Sequence, residues 1–372
     1  EIDAVLISTP DHMHAPIAMH AIGLGKHVYV QKPLCHTVNE CRVLAGAAEA
    51  NNIVTQMGNQ GHAGEGARLI NEWVASGALG EIREVHCWTN RPVWPQGIGR
   101  PEGETPVPDS LAWDLWLGAA SHRPYVERAY HPFNWRGWLD FGGGALADMA
   151  CHTMDSIFMS LDPGYPTHVE ALNVDTLTDA AFPKGSTLKW TFGPTDKRPG
   201  FDVYWYDGTD NAYTDKNGKP RRHERLEEIA QGAELANSGN LYVGTENTLL
   251  VTGDYGDSSR IIPNEAHRAV AMELKKKTGD HRPARVYEPS IGHHTEFREA
   301  AIGNKPYDYP GSNFKYAGPF TETIQLGNVC LHFPGKKLAW DGPNLSFKNS
   351  PKANSLINKE YRKEWDFKLS KA

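Results

Sequence analysis

The first sixty residues alternate short apolar runs with longer segments of helical periodicity. Three runs of apolar side chains are typical of buried strands, at residues 4–7, 27–30 and 53–57. Two segments between them, 14–24 and 38–50, place apolar residues at helical spacing. This βαβαβ order predicts a parallel sheet with right-handed crossovers and helices on its faces.

The loops after these three strands are rich in polar side chains. In a doubly wound sheet the ligand lies beyond the carboxyl ends of the strands, so loops 8–14, 31–36 and 58–62 are expected to face one crevice. The glycine fingerprint of a dinucleotide-binding fold is absent. Residues 142–147 match its spacing, but no strand with a ribose-binding carboxylate follows them. We therefore expect a partial Rossmann fold, a doubly wound parallel sheet whose first βαβ unit is missing from the sequence.

The organisation changes after a predicted helix at 65–76. Six strand-like segments follow, mostly without helices between them: 82–89, 168–176, 187–192, 203–206, 240–243 and 248–251. They predict an α+β domain with an open-faced antiparallel sheet, and two Pro- and Gly-rich stretches, 91–110 and 207–219, are predicted as surface loops. The expected class is α/β, with the NAD(P)-binding part at 1–78 and a substrate and oligomerisation domain with a C-terminal tail at 79–372.

Charge and composition exclude two classes of partner. The 38 basic and 45 acidic side chains give a net charge of −7 without a basic stripe, so nucleic acid is not an expected partner. Apolar runs are too short to span a bilayer, so no membrane partner is expected either. The five cysteines are widely spaced without a CxxC pair, which favours reduced core thiols over zinc ligands or disulfides.

Two groups of residues carry candidate chemistry. Lys32 directly follows the second predicted strand, and Pro33 fixes the backbone where the lysine must point. Asp148, His152 and Asp155 are spaced i, i+4 and i+7, which predicts one stripe along a helix. A histidine one turn from a carboxylate moves protons near neutral pH, the carboxylate selecting its tautomer. The alternatives are a solvated loop lysine, a surface ion pair and a metal site; no third strong ligand is evident, so no metal is expected.

A third group lies just before the glycines of 142–147. Arg136 is a candidate ligand for a cofactor phosphate or a substrate hydroxyl, with Trp135 as an apolar wall; alternatively, the arginine packs over an aromatic ring. Four histidines form two close pairs whose spacing is poor for a metal: His12, His14, His293 and His294. They are interpreted as loop and helix-cap residues and as candidates for cofactor contact.

Several strings together resemble one protein family. They are Asp3 to Pro10, His12 and His14, Gly25 to Val28, Gln31 to Leu34, and Gly142 to Leu146 followed by Asp148, His152 and Asp155. On these residues the chain resembles the Gfo/Idh/MocA family, oxidoreductases of the glucose-fructose oxidoreductase and inositol dehydrogenase type, over nearly its whole length. The resemblance implies an N-terminal Rossmann domain that binds NAD or NADP, with NAD favoured. It also implies a C-terminal domain that supplies the substrate site and often the oligomer contact.

The same resemblance implies roles for individual residues. Lys32, Asp148 and His152 match the family's catalytic lysine, aspartate and histidine. The residues expected at the cofactor are Ser8, Thr9, Pro10, His12, His14, Gln31, Lys32, Asn59, Trp135 and Arg136. Those expected at the substrate are Lys32, Arg136, Asp148, His152 and Asp155. Gln31 departs from the family's usual glutamate, which removes a negative charge beside Lys32.

The expected activity is hydride transfer between nicotinamide and a secondary hydroxyl of a sugar or cyclitol. The alternative is an NAD-dependent glycoside hydrolase or lyase that acts through a transient keto-sugar. A third class, a binding module without chemistry, is disfavoured by intact Lys32, Asp148 and His152. A homo-oligomer, dimer or tetramer, is expected. The expected location is the cytoplasm, or outside it after export by a twin-arginine signal lost with the missing N-terminus.

Overall fold

A computed structural model describes residues 2–208 and 223–369 of the protein. The first part of the chain forms three parallel strands, β1 (Ala4–Ile7), β2 (His27–Val30) and β3 (Thr55–Met57). They pair in the order β1-β2-β3. Two helices connect them, α1 (His14–Gly23) and α2 (Val38–Ala50). The predicted βαβαβ order is confirmed.

Helix α2 begins at a complete capping box. The Thr37 hydroxyl accepts from the backbone N–H of Glu40, and the Glu40 carboxylate accepts from the backbone N–H of Thr37. Four apolar side chains of this helix are buried in the core: Val38, Cys41, Leu44 and Ala48. The cap therefore ends the loop after β2 at a fixed point.

The remaining strands form one nine-stranded sheet. They are β4 (Ile82–Trp88), β5 (His168–Asp175), β6 (Gly185–Phe192), β7 (Phe201–Gly208), β8 (Gly239–Gly244), β9 (Thr248–Thr252), β10 (Ser258–Ile262), β11 (Leu338–Asp341) and β12 (Ser346–Phe347). Their order is β10-β9-β8-β4-β7-β6-β5-β11-β12. The six predicted strands are confirmed, whereas β10, β11 and β12 were not predicted.

One pair in this sheet departs from the antiparallel prediction. Strands β4 and β7 run parallel, and the other pairs are antiparallel. These two strands lie far apart in the chain, so no hairpin constrains their relative direction. The sheet is therefore mixed.

Nine further helices accompany the two sheets in the described residues. They are α3 (Glu65–Ala75), α4 (Trp113–Leu117), α5 (Gly144–Thr153), α6 (Asp155–Leu161), α7 (Glu224–Ala230), α8 (Asn264–Thr278), α9 (His293–Ala301), α10 (Phe314–Cys330) and α11 (Pro351–Asn354). Of these, helices were predicted at α3 and α5. Helix α8 was not predicted, and none of its residues is buried.

The main core lies between the two sheets. Helix α10 contacts α2 and β3 on one side and β5 and β6 on the other, so it joins both sheets. The Trp190 indole of β6 donates to the carbonyl of Thr323 in this helix at 2.9 Å. On the opposite face of the nine-stranded sheet, α7 covers Trp88 and Leu250. The rest of that face carries polar pairs such as Lys189 with Asp202, at 2.8 Å.

Three further observations concern membrane-spanning helices, the cysteines and the predicted loops. No helix within residues 2–208 and 223–369 combines the length and apolar character needed to cross a membrane. All five cysteines are free and buried, which confirms the prediction of core thiols. The predicted loop 91–110 contains neither helix nor strand, and most of the predicted loop 207–219 lies outside the described residues.

Candidate active site

The loops after β1, β2 and β3 meet at the carboxyl edge of the parallel sheet. The backbone N–H of Gln31 donates to the carbonyl of Ile7 at 2.9 Å, and that of Gly58 donates to Val30 at 2.7 Å. A Cβ at residue 58 would lie 2.6 Å from the side-chain oxygen of Gln31 and 3.1 Å from its Cα, so a larger residue there would displace the Gln31 side chain. The three loops predicted to face one crevice are thus adjacent.

Lys32 reaches from this edge to helix α5. Its Nζ donates to the Asp148 carboxylate at 2.8 Å and to the Asp148 carbonyl at 2.9 Å. Burial alone would raise the pKa of Asp148, but Lys32 and then Arg136 outweigh it and lower that pKa below its ordinary value. An ionised carboxylate therefore holds the ammonium at the crevice. Both side chains keep some solvent contact, at 19% and 14% exposure.

Arg136 is a second cation on the same carboxylate. Its Nε lies 3.4 Å from the Asp148 Oδ1 atom. The guanidinium also lies over two rings, 4.2 Å from the centroid of Trp135 and 4.5 Å from that of Phe133. The predicted alternative, in which Arg136 packs over aromatic rings, is therefore observed. The same aromatic contacts hold the guanidinium charge beside Asp148.

His152 lies one helical turn after Asp148. Burial and the charge of Lys32 lower the pKa of His152 to about 3, although Asp148 acts in the opposite direction. Its Nδ1 is buried and has no hydrogen-bond partner among the described residues. The ring meets Tyr255 edge-on, with centroids 4.8 Å apart. The Asp148 carboxylate bonds Lys32 and Arg136, so it affects the pKa of His152 through its charge.

The helix that carries Asp148 and His152 stops just before Asp155. Helix α5 ends at Thr153, and α6 begins at Asp155. Met154 between them remains in the right-handed helical region, with φ −85° and ψ −9°, and its N–H donates to the Ala150 carbonyl. The three residues predicted on one helix therefore lie on two consecutive helices. Asp155 is buried, whereas Asp148 is half-buried at the crevice.

Asp155 accepts hydrogen bonds from three side chains. They come from His62 Nδ1 at 3.0 Å, Asn59 Nδ2 at 3.0 Å and the Tyr316 hydroxyl at 2.8 Å. Burial would lower the pKa of His62, but Asp155 outweighs it and raises that pKa. Burial, followed by the charge of Asp155, raises the pKa of Tyr316. Asp155, expected at the substrate, and Asn59, expected at the cofactor, thus lie together in a buried cluster.

The first loop is tied to its neighbours by two histidines. The Nδ1 of His14 lies 2.7 Å from the Pro33 carbonyl, and its Nε2 lies 2.9 Å from that of Thr9. Burial lowers the pKa of His14, so the neutral ring donates to one carbonyl at a time. The Nε2 of His12 bonds the Leu117 carbonyl at 3.0 Å, and its Nδ1 has no partner among the described residues. Two other expected cofactor residues flank them, Ser8, which is exposed, and Pro10, which is half-buried.

Sequence reasoning missed two residues of this region. Asp11 is buried, and its carboxylate accepts from the backbone N–H of Gly143 at 2.9 Å, just before α5. Burial and then the charge of Asp148 raise the pKa of Asp11 to about 7. Its place in the predicted crevice loop was an available signal. Tyr255 lies in the turn between β9 and β10, and no motif or periodicity marks it.

A parallel sheet with its polar loops at the carboxyl edge defines a nucleotide-binding class of α/β protein. Residues 1–59 match the oxidoreductase family profile described as the NAD-binding Rossmann fold. Residues 74–190 match the profile of the C-terminal alpha/beta domain of the same family. Residues 1–59 and 74–190 thus match two domains of the Gfo/Idh/MocA family of oxidoreductases, the family that the motifs predicted.

Curated relatives share part of the sequence. An uncharacterized oxidoreductase from Streptococcus pneumoniae is 28% identical over 94 residues, 25% of each chain. A glycosyl hydrolase family 109 protein from Shewanella pealeana is 35% identical over 82 residues, 22% of this chain and 18% of that protein. A levoglucosan dehydrogenase from Pseudarthrobacter phenanthrenivorans is 34% identical over 82 residues, 22% of this chain and 21% of its own. The match therefore spans a quarter or less of these relatives.

Solved structures share the fold over most of the chain. The WlbA dehydrogenase from Bordetella pertussis, in complex with NADH and UDP-GlcNAcA, has a TM-score of 0.58 at 14% identity, covering 92% of this chain and 79% of its own. An inositol dehydrogenase homolog from Azotobacter vinelandii, complexed with NADH and myo-inositol, has a TM-score of 0.55 at 17% identity, covering 91% and 78%. This likeness confirms the predicted α/β class.

Proposed function

We propose that the protein is an NAD-dependent oxidoreductase that acts on a secondary hydroxyl of a sugar or cyclitol. The observation that carries this proposal is the convergence of Lys32 and Asp148 beside a neutral His152 at the carboxyl edge of the parallel strands. The matches to two domain profiles of the Gfo/Idh/MocA family support it. The likeness to levoglucosan dehydrogenase and to an inositol dehydrogenase homolog bound to NADH and myo-inositol favours a polyhydroxylated substrate.

The residues at this edge fit a nicotinamide cofactor. Among the residues proposed for this site, four buried polar atoms have no hydrogen-bond partner in the described part of the chain: Thr9 Oγ1, His12 Nδ1, Asn59 Oδ1 and His152 Nδ1. Buried polar atoms in folded proteins nearly always have a partner, so these atoms suit a polar ligand. We assign to the cofactor Ser8, Thr9, Pro10, His12, His14, Gln31, Lys32, Asn59, Trp135 and Arg136. When bound, NAD accepts or returns a hydride.

Lys32 would orient the reacting oxygen. An ammonium has three donors, and Lys32 gives two of them to Asp148. The third is left for a substrate hydroxyl or carbonyl oxygen. Asp148 and Arg136 hold the ammonium in place, so little conformational entropy remains to be lost when substrate binds.

His152 would exchange the proton. Oxidation of a secondary alcohol removes a hydride from carbon and a proton from oxygen. The low pKa of His152 keeps its ring neutral near pH 7, the form that accepts a proton at a ring nitrogen. In the reverse direction the protonated ring returns that proton to the alkoxide.

The test measures turnover of the whole protein with NAD and a panel of sugars, cyclitols and aryl glycosides. We expect the absorbance of reduced nicotinamide to rise with a sugar or cyclitol. His152→Ala should lose about 10²- to 10⁴-fold in rate, as is typical for a positioned acid-base group. His281→Ala, at an exposed position, is the matched control and should keep full activity.

Two results would contradict the proposal. One is full activity in His152→Ala. The other is release of free sugar from an aryl glycoside without net formation of reduced nicotinamide. That second result would assign the protein to the redox-assisted glycosidases, the activity named for the family 109 relative.

A further inference from the structure

The last described residues, 357–369, run back across the parallel-sheet part of the molecule. We call this segment the C-terminal strap. Both of its ends are bonded to Asn39 of α2: the Asn39 backbone N–H donates to the carbonyl of Ile357 at 2.9 Å, and its side-chain amide donates to that of Leu369 at 2.8 Å. Leu369 is fully buried. The strap is therefore anchored at both ends.

Lys359 of the strap projects between the first two crevice loops. Its Nζ pairs with the Glu40 carboxylate at 2.9 Å. It also bonds the Nδ1 atom of His36 at 3.1 Å and the carbonyl of His12 at 3.2 Å. These contacts use all three donors of the ammonium. One side chain from the C-terminus thus bonds the first loop, the second loop and the start of α2.

His36 connects Lys359 to the residues just before α5 by hydrogen bonds. Burial and the charge of Lys359 lower the pKa of His36 to about 3, so its ring is neutral. Because Lys359 donates to Nδ1, the ring proton lies on Nε2, which donates to the carbonyl of Gly142 at 2.9 Å. Gly142 stands two residues before α5. A continuous hydrogen-bonded path therefore joins the strap to the helix that carries Asp148.

We propose that Lys359 is a positioning residue: through His36 it fixes the loop of Lys32 against the glycine segment that begins α5. Lys32 and Asp148 lie on the two elements joined by this path, so its loss would let their relative position vary. A displacement of about 1 Å at a reacting group costs up to roughly 10²-fold in rate. The kinetic consequence rests on the proposed function, whereas the structural role does not.

A structural ion pair alone would also explain Lys359, so the variants must separate the two roles. Lys359→Met leaves Glu40 buried without its cation, which destabilises any protein. Adding Glu40→Gln removes that charge and keeps the capping box, because glutamine serves at this position as well. The double variant therefore lacks the link to His36 without an uncompensated charge. Lys363→Met, at an exposed strap residue, is the matched control.

The primary readout is amide hydrogen exchange in the whole protein. In the double variant we expect amide exchange to rise about tenfold in loop 31–36 and in residues 142–147. A rise of this size corresponds to the loss of one hydrogen bond to a charged group. Lys363→Met should leave both segments unchanged. Exchange that rises only within the strap, rises uniformly over the molecule, or stays within about twofold of wild type in both segments would overturn the proposal.

The second readout is kinetic. With any substrate that the protein turns over, the double variant should lose roughly tenfold in kcat while KM for NAD changes little, because positioning acts on the reacting groups. An equal loss in Lys363→Met would overturn this assignment. If the wild-type protein turned over no substrate, the proposed function would fail, and hydrogen exchange would still decide the role of Lys359.

Discussion

Two carboxylates seven residues apart, Asp148 and Asp155, have opposite surroundings. Asp148 lies between the cations of Lys32 and Arg136 and retains solvent contact. Asp155 is buried and accepts from neutral amide and hydroxyl donors and from a histidine. The first carboxylate holds a cation that has a donor to spare for a ligand. The second is satisfied by the protein.

The two carboxylates also lie on different helices, α5 and α6. On one unbroken helix the spacing i, i+7 would place both carboxylates on the same face. Helix α5 ends at Thr153 and α6 begins at Asp155, and each carboxylate has its own set of partners. We therefore expect substitutions around Asp148 to change turnover and substitutions around Asp155 to change stability.

The largest expected effect is on turnover at the Asp148 side. Lys32→Met removes the ammonium but keeps the length of the side chain, so it should reduce kcat by about 10²- to 10⁴-fold. The affinity for NAD, measured by calorimetry, should change far less, because the ammonium is assigned to the reacting oxygen. His62→Gln, on the Asp155 side, is the comparison and should retain most of its turnover. Equal losses in the two variants would remove the distinction between the regions.

The next effect is on stability at the Asp155 side. Asp155→Asn replaces a charged acceptor of three hydrogen bonds and should lower the free energy of unfolding by about 1.5 to 3 kcal/mol, measured by urea denaturation. Asp148→Asn is the isosteric control and should cost less, since its partners reach water. A larger loss of stability in Asp148→Asn would reverse the assignment.

Much of the fold could be predicted because local patterns determine it. Strands β1 and β2 are short, mostly apolar runs, β3 follows the apolar pair Ile53 and Val54, and α2 starts at a capping box visible in the sequence. Strands β10, β11 and β12 are short, and their pairing depends on residues far away in the chain. The direction of β4 relative to β7 is likewise a tertiary property.

The candidate site divides in the same way. The sequence alone marks Lys32 by its place at the end of a predicted strand. It marks Asp148 and His152 by their helical spacing. The pairing of His62 with Asp155 joins residues 93 apart in the chain. The pairing of Lys359 with Glu40 joins the C-terminal strap to helix α2. No local pattern contains such contacts. The proposed reacting groups could therefore be chosen from the sequence, whereas the partners His62 and Lys359 are seen only in the structure.

The smallest expected effect is a contrast in pH dependence between the two histidines. Burial lowers the pKa of His152 to about 3, whereas Asp155 outweighs burial at His62 and raises its pKa. In the unfolded chain both titrate near pH 6.5. His62 therefore binds protons more tightly in the folded state, and His152 binds them less tightly.

The two contributions to stability have opposite signs. The contribution of His62 is fully present below about pH 6.5 and is lost as the pH rises through its raised folded pKa. His152 destabilises the fold increasingly as the pH falls from about 6.5 toward 3, because only the unfolded state then takes up its proton. Urea denaturation at about pH 5 and about pH 8 measures both. His62→Gln should lose more stability at the lower pH than at the higher, and His152→Gln should lose less there. If the stability of both variants changed with pH in the same direction, the opposite pKa shifts of His62 and His152 would be contradicted.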